Sequence, residues 1–215
     1  MTALTFALLA LNVVSAQQNE FYLRFLHAVP GAPPVDVYND DSKIISNLPY
    51  TEISNYVRGV PDVYNFYVKL TGTNTTILAL PGTSVGARGT TLVVGGNSSK
   101  IASFVVAEQI PAPVRYNYCL TRFAHFAPDV SLVSLWVDDH VDFPQVAFGT
   151  WAPTTHVTVP PGEANVSLSL YHSLPLTFAL NATIACPVNQ VQTVYAVGLA
   201  SGSGTTALQF ITHTD

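Results

Sequence analysis

The feature that most constrains this chain is that it repeats itself. Arg24-Phe25-x-His27-x-x-Pro30 returns as Arg122-Phe123-x-His125-x-x-Pro128, an offset of 98 residues. Around both copies apolar and polar residues alternate with a period of two: YLRFLHA, VDVY, YNFYVKL and TTLVVGG in the first half, TRFAHFA, SLVSLWV, NVSLSLY and TVYAVG in the second. Pro and Gly break these runs about every 8 to 12 residues, and no stretch sustains a helical period. A chain written this way folds as short strands and tight turns, with one face of each strand turned to a core.

The repeat extends beyond the motif. Val35, Val37 and Tyr38 fall on Val133, Leu135 and Trp136, Ala79-Leu80 aligns with Ala179-Leu180, and Leu92 to Gly95 aligns with Tyr195 to Gly198. These pairings set the offset at 98, then 100, then 103. It grows only between strands, where loops absorb insertions at little cost. Two tandem β-sandwich domains are therefore expected, 19–111 and 114–215. The join, Ile110-Pro-Ala-Pro113, is short and stiffened by proline, which favours a defined mutual orientation.

Strand parity assigns faces. Phe21, Leu23, Phe25 and His27 share one side of the first strand, which predicts His27, and His125 with it, as a buried residue bonding the adjacent Pro-rich corner. Asp36 lies opposite Val35 and Val37 in parity, and its counterpart in the second copy is Ser134. A carboxylate present in one copy only reads as a solvated strand residue or a hydrogen bond to the corner. Tyr38 and Trp136 take the same position in the two copies and turn away from the valines. They are candidate platforms for a sugar ring, with cover by a loop or by the neighbouring domain as the favoured alternative.

No pattern for catalysis accompanies these residues: G-x-S-x-G, H-E-x-x-H, the P-loop and the calcium loop are all absent. His140, His156, His172 and His213 are scattered without ligand spacing. Asp40-Asp41 and Asp138-Asp139 recur where tight turns favour Asp, with calcium a minor alternative. A hydrolase built on His27 or His125 is the least favoured reading, and no cofactor is implied.

The chain opens MTALTFALLALNVVSAQQ. Leu4 to Val14 is apolar but about half the roughly 20 residues a membrane helix needs. Val14-Ser15-Ala16 supplies the small residues of a cleavage site, so residues 1–16 read as a secretory signal peptide. A secreted chain agrees with the remaining signals. Charged residues make up 10%, against roughly 25% in ordinary globular proteins, so the usual charged coat is missing. Four N-glycosylation sequons, at Asn74, Asn97, Asn165 and Asn181, offer a replacement. The two cysteines, Cys119 and Cys186, suit an oxidising compartment and pair with each other if they pair within the chain. Cys119 precedes the second motif copy and Cys186 falls in the last growth of the offset, so the disulfide belongs to the second domain. A net charge of -5 with eight basic residues argues against a nucleic-acid partner, which requires clustered Lys and Arg.

The stretch from Arg24 to Tyr38, RFLHAVPGAPPVDVY, together with Gly72-Thr-Asn-Thr-Thr-Ile-Leu78, resembles the secreted β-sandwich family catalogued as domain of unknown function 4397. The second half resembles it through Arg122, Phe123, His125 and Pro128, with DVSLVSLW in place of GAPPVDVY. The resemblance implies immunoglobulin-like or transthyretin-like sandwiches, often in tandem, on secreted and cell-surface proteins, with no established activity to carry over. The expected function is thus a secreted, glycosylated, non-enzymatic structural, adhesive or interaction protein, engaging glycan, cell wall, matrix or copies of itself. A carbohydrate-binding module using Tyr38 or Trp136 is the alternative.

Overall fold

A computed structural model describes residues 20–86, 89–108, 119–152, 157–160, 162–170 and 178–214. The apolar leader through Ala16, the proline join, His156 and His172 lie outside the described residues. The first half contains β1 (Phe21–Ala28), β2 (Val35–Asn39), β3 (Ser42–Leu48), β4 (Val57–Gly59), β5 (Asp62–Leu70), β6 (Thr76–Val85), β7 (Gly89–Asn97) and β8 (Lys100–Glu108). The second contains β9 (Cys119–Phe126), β10 (Leu132–Val137), β11 (His140–Ala147), β12 (Thr150–Trp151), β13 (Val157–Val159), β14 (Gly162–Leu170), β15 (Phe178–Cys186), β16 (Val191–Val197) and β17 (Gln209–Thr214). Among the described residues no helix is long and apolar enough to cross a membrane.

The strands form two sandwiches with one connectivity. In the first, the sheet β4-β1-β7-β8 faces the sheet β3-β2-β5-β6. In the second, β12-β9-β16-β17, with β13 also on β9, faces β11-β10-β14-β15. The first strand of each runs parallel to its penultimate one, β1 to β7 and β9 to β16, and all other pairs are antiparallel. This partition is not that of an immunoglobulin constant domain, whose first, second, fourth and fifth strands share a sheet.

Alternation fills both cores. Phe21, Leu23 and Phe25 of β1 meet Val35, Val37, Phe66, Val68, Leu92 and Val94 inside the first sandwich, with the Phe25 and Phe66 rings edge to face at 5.6 Å. Phe123 of β9 meets Val133, Leu135, Phe143, Leu168 and Val194 inside the second. Each such side chain stabilises the fold by about 1.5–3 kcal/mol through burial.

The pairing registers correct the repeat alignment. Phe25 pairs with Leu92 and Phe123 with Val194, so Leu92 corresponds to Val194 at an offset of 102 rather than 103. The difference matters, because a slip of one residue exchanges the two faces of a strand. At 102, Leu92 and Val194 both enter a core; at 103, Leu92 would align with Tyr195, which faces elsewhere. Leu78 likewise corresponds to Leu180 through their partners Val68 and Leu168, so Ala79-Leu80 does not align with Ala179-Leu180. Cys186 is not in an insertion either. It pairs with Gly162 as Val85 pairs with Asp62, and ends β15 at a core position.

A third apolar cluster joins the sandwiches. Leu26, Ala28, Val93 and Val106 from the outer face of the β1 sheet pack with Ala124, Phe126, Tyr195 and Val197 from the outer face of the β9 sheet. Phe104 of β8 lies 5.5 Å from Phe126 and 5.3 Å from Phe148. Gly149 makes the close approach possible: its φ is +77°, and a Cβ there would collide with the Phe104 ring. Strands β1, β9 and β16 are consequently covered on both faces. Arg24, on the same face of β1 as Leu26, is also buried; its Nε donates to Thr91 Oγ1 at 2.9 Å and its guanidinium lies 4.6 Å from the Tyr56 ring centre.

Candidate functional site

The repeated motif forms a braced corner in each sandwich. His27 leaves β1 on the inner face, and its Nε2 lies 3.1 Å from the Pro33 carbonyl while its Nδ1 accepts the Val29 N–H at 3.4 Å. His125 does the same in β9, with Nε2 3.0 Å from the Val130 carbonyl and Nδ1 accepting the Ala127 N–H at 3.3 Å. A carbonyl can only accept and an N–H only donate, so each ring is held neutral with its proton on Nε2. Burial pushes both histidines below their ordinary value, against a smaller upward pull from the bonded carbonyl. His125 falls to about 4.

Asp36 departs from expectation. It is 2% exposed rather than solvated. Its carboxylate accepts from Lys43 Nζ at 2.7 Å, from the Asn47 N–H at 2.8 Å and from Thr71 Oγ1 at 3.1 Å. Burial alone would raise its pKa, but these three donors outweigh it and hold the carboxyl below the usual range. The reason for the site is a β-bulge: Val35 pairs with Leu48 and Val37 with Ile45, so two residues of β3 face Asp36. One of them, Asn47, has φ +51°. In the second sandwich Ser134 faces the same bulge and accepts the N–H of Gln145, φ +55°, at 3.1 Å. Carboxylate and hydroxyl do one job, which is to satisfy a backbone donor turned out of the ladder.

The hairpins beyond are equivalent too. Asp40 and Asp138 both have positive φ and both donate their N–H to an Asn carbonyl, of Asn65 and Asn165, at 2.9 Å. Among the described residues no group of His, Cys, Asp or Glu is placed to hold a metal ion.

Tyr38 and Trp136 do lie on the outer faces of the sheets turned away from the other sandwich, half-buried. Tyr38 is flanked by Lys69 at 4.4 Å and Lys43 at 5.5 Å from its ring centre. Trp136 donates Nε1–H to Ser169 Oγ at 2.9 Å and meets Phe178 edge to face at 5.5 Å. The side chains of Asn74, Asn97, Asn165 and Asn181 are all at the surface. Cys119 and Cys186 form a disulfide, with Cα atoms 5.5 Å apart, tying β9 in one sheet to β15 in the other.

Sequence reasoning passed over three participants. Asp129, beside Pro128, accepts the N–H groups of Ala200 and Ser201 at 2.9 Å and the Ser201 hydroxyl at 2.8 Å, fastening the second corner to the loop after β16. Lys69 and Phe178 complete the two aromatic faces. Their contacts come from separate strands, so no local pattern marks them. A groove of about 500 Å³ runs between β3 and residues 52–57. Its one carboxylate is Glu52, and the Ser54 hydroxyl within it accepts the Phe25 N–H and donates to the Asn55 carbonyl, both at 2.9 Å.

Residues 21–129 match the family described as Domain of unknown function (DUF4397). That span holds the whole first sandwich and continues through β9 to Asp129, one residue past the second copy of the motif. No curated protein matches the chain. On the family match, which covers half of the sequence, the chain belongs to the DUF4397 family.

Proposed function

We propose that this DUF4397 member is a secreted, N-glycosylated, non-enzymatic structural or adhesive protein built from two copies of the family sandwich, 19–111 and 114–215. The observation that carries the reading is how the repeated polar residues are used. His27, His125, Asp36 and Ser134 are each committed to backbone groups of their own sandwich, so the motif makes two matched, rigid corners. The second copy keeps the brace, the bulge and the hairpin turn, which supports common descent of the two halves. Docked back to back, the sandwiches present their other sheets outward, and these carry the aromatic residues and three of the four sequon asparagines. Such a body suits contact with wall, matrix, glycan or further copies of itself.

The reading is tested by purifying the secreted chain and following its mass against concentration, alone and with wall or matrix polysaccharide. Assembly or binding is expected. A chain that stays monomeric and binds none of these at high concentration contradicts it. A second reading, a carbohydrate-binding module, is favoured by the Trp136–Phe178 pair, since Phe178 is 42% exposed. Binding to a glycan array that survives Tyr38→Ala and Trp136→Ala together removes it.

A further inference from the structure

The β15 strand contains an irregularity that turns an aromatic ring toward a sequon. Leu180 pairs with Leu168, but the next pair is Phe178 with Ser169, so Ala179 is bulged. Phe178 and Asn181 are three residues apart, and in a regular strand they would point to opposite faces. The bulge restores Phe178 to the outer face, opposite Ser169, while Asn181 stands there opposite Ser167. Ring and carboxamide become same-face neighbours roughly 7 Å apart along the strand. Trp136, fixed by its bond to Ser169, backs the Phe178 ring edge to face.

We propose that this face is the seat of an N-linked glycan on Asn181, whose first N-acetylglucosamine packs its apolar C–H face against Phe178 beside Trp136. The inference rests on the secretory reading above and deepens it. It makes the aromatic pair a support for the chain's own sugar rather than a platform for a foreign one. Two of the other sequon side chains are engaged differently. Asn97 Oδ1 accepts three bonds from its own turn, those of the Ser99 N–H, the Ser99 hydroxyl and the Lys100 N–H. Asn165 Oδ1 accepts from Thr183, the sequon hydroxyl of Asn181 itself. The bond that forms joins Asn181 Nδ2 to C1 of the sugar. The bond that breaks joins C1 to a lipid pyrophosphate donor, which departs while the amide proton goes to the transferase base. Because transfer precedes folding, the folded strand must leave that nitrogen in solvent, and Asn181 is exposed.

The test uses the full chain from a eukaryotic secretory host, its glycans trimmed to a single N-acetylglucosamine. Peptide mass spectrometry is expected to find Asn181 modified, and the sugar protons or N-acetyl methyl to resonate upfield under the aromatic ring current. Asn181→Gln should lower the unfolding midpoint by about 2–4 °C, and this difference should vanish in a Phe178→Ala or Phe178→Leu background. Equal differences in all backgrounds, or unshifted sugar resonances, overturn the seat. An unmodified Asn181 beside a modified Asn74 overturns it alone, whereas a host that secretes no chain overturns the reading beneath it as well.

Discussion

Asp36 receives the backbone N–H of Asn47 at 2.8 Å across a bulge that Ser134 and Gln145 reproduce in the second sandwich. The pair explains how one sandwich can carry an acid where the other carries an alcohol. What both halves need there is an acceptor, and the charge is compensated locally by Lys43.

Removing that acceptor should be costly. Asp36→Ala leaves the Asn47 N–H and the Thr71 hydroxyl without their partner, a loss of about 1–3 kcal/mol. Asp36→Ser should retain part of it, being the solution the second sandwich already uses. Denaturant unfolding of the three proteins checks the order wild type, Ser, Ala.

Acid should act in two stages. A histidine whose folded pKa is depressed contributes fully above its unfolded value near 6.5 and loses that contribution as pH falls toward the folded value. For His125 the window runs from about 6.5 down to about 4 and is worth on the order of 3 kcal/mol. Asp36 and Asp129, held below their ordinary pKa, keep their contribution until pH falls below about 4. His125→Phe should lower stability at pH 7, through the orphaned Val130 carbonyl and Ala127 N–H, and flatten the upper stage. Unfolding midpoints at pH 7, 5 and 3 read both effects.

Reduction should weaken the second sandwich selectively. Cys119 and Cys186 take the places of Phe21 and Val85 in the first core, so the disulfide replaces an apolar pair. Changing both cysteines to Ser should cost about 2–4 kcal/mol, with the loss of amide exchange protection concentrated in β9 to β17.

The contact between sandwiches should be separable from their folding. Phe104→Ala removes the ring that Phe126 and Phe148 pack on. A loss of about 2–4 kcal/mol is expected, with one unfolding transition resolving into two in calorimetry. Gly149→Ala should do the same through collision and a strained φ.

Much of this was legible in the sequence. Period-two runs and Pro/Gly punctuation mark strands, and the recurrence of Arg, Phe, His and Pro marks the first strand of each of two sandwiches, because those signals are local. The burial of Asp36 was not legible, since its donors come from residues 43, 47 and 71 and a bulge leaves little trace in composition. The drift from 102 to 103 had a similar cause, as Leu-Val-Val-Gly and Tyr-Ala-Val-Gly match by type while standing on opposite faces. Alternation puts Leu26 and Phe126 on the faces opposite Phe25 and Phe123, but it does not reveal that each sandwich supplies the cover for the other.

The central claim is that the repeated motif is architecture and that function lies on the outward sheets. Sedimentation of the glycosylated, secreted chain across a wide concentration range, with and without wall or matrix polysaccharide, tests it most directly. Assembly or binding that is retained in His27→Gln and His125→Gln proteins that still fold is the predicted result. A monomer that binds nothing, or an interaction abolished by either substitution in a folded chain, would contradict it.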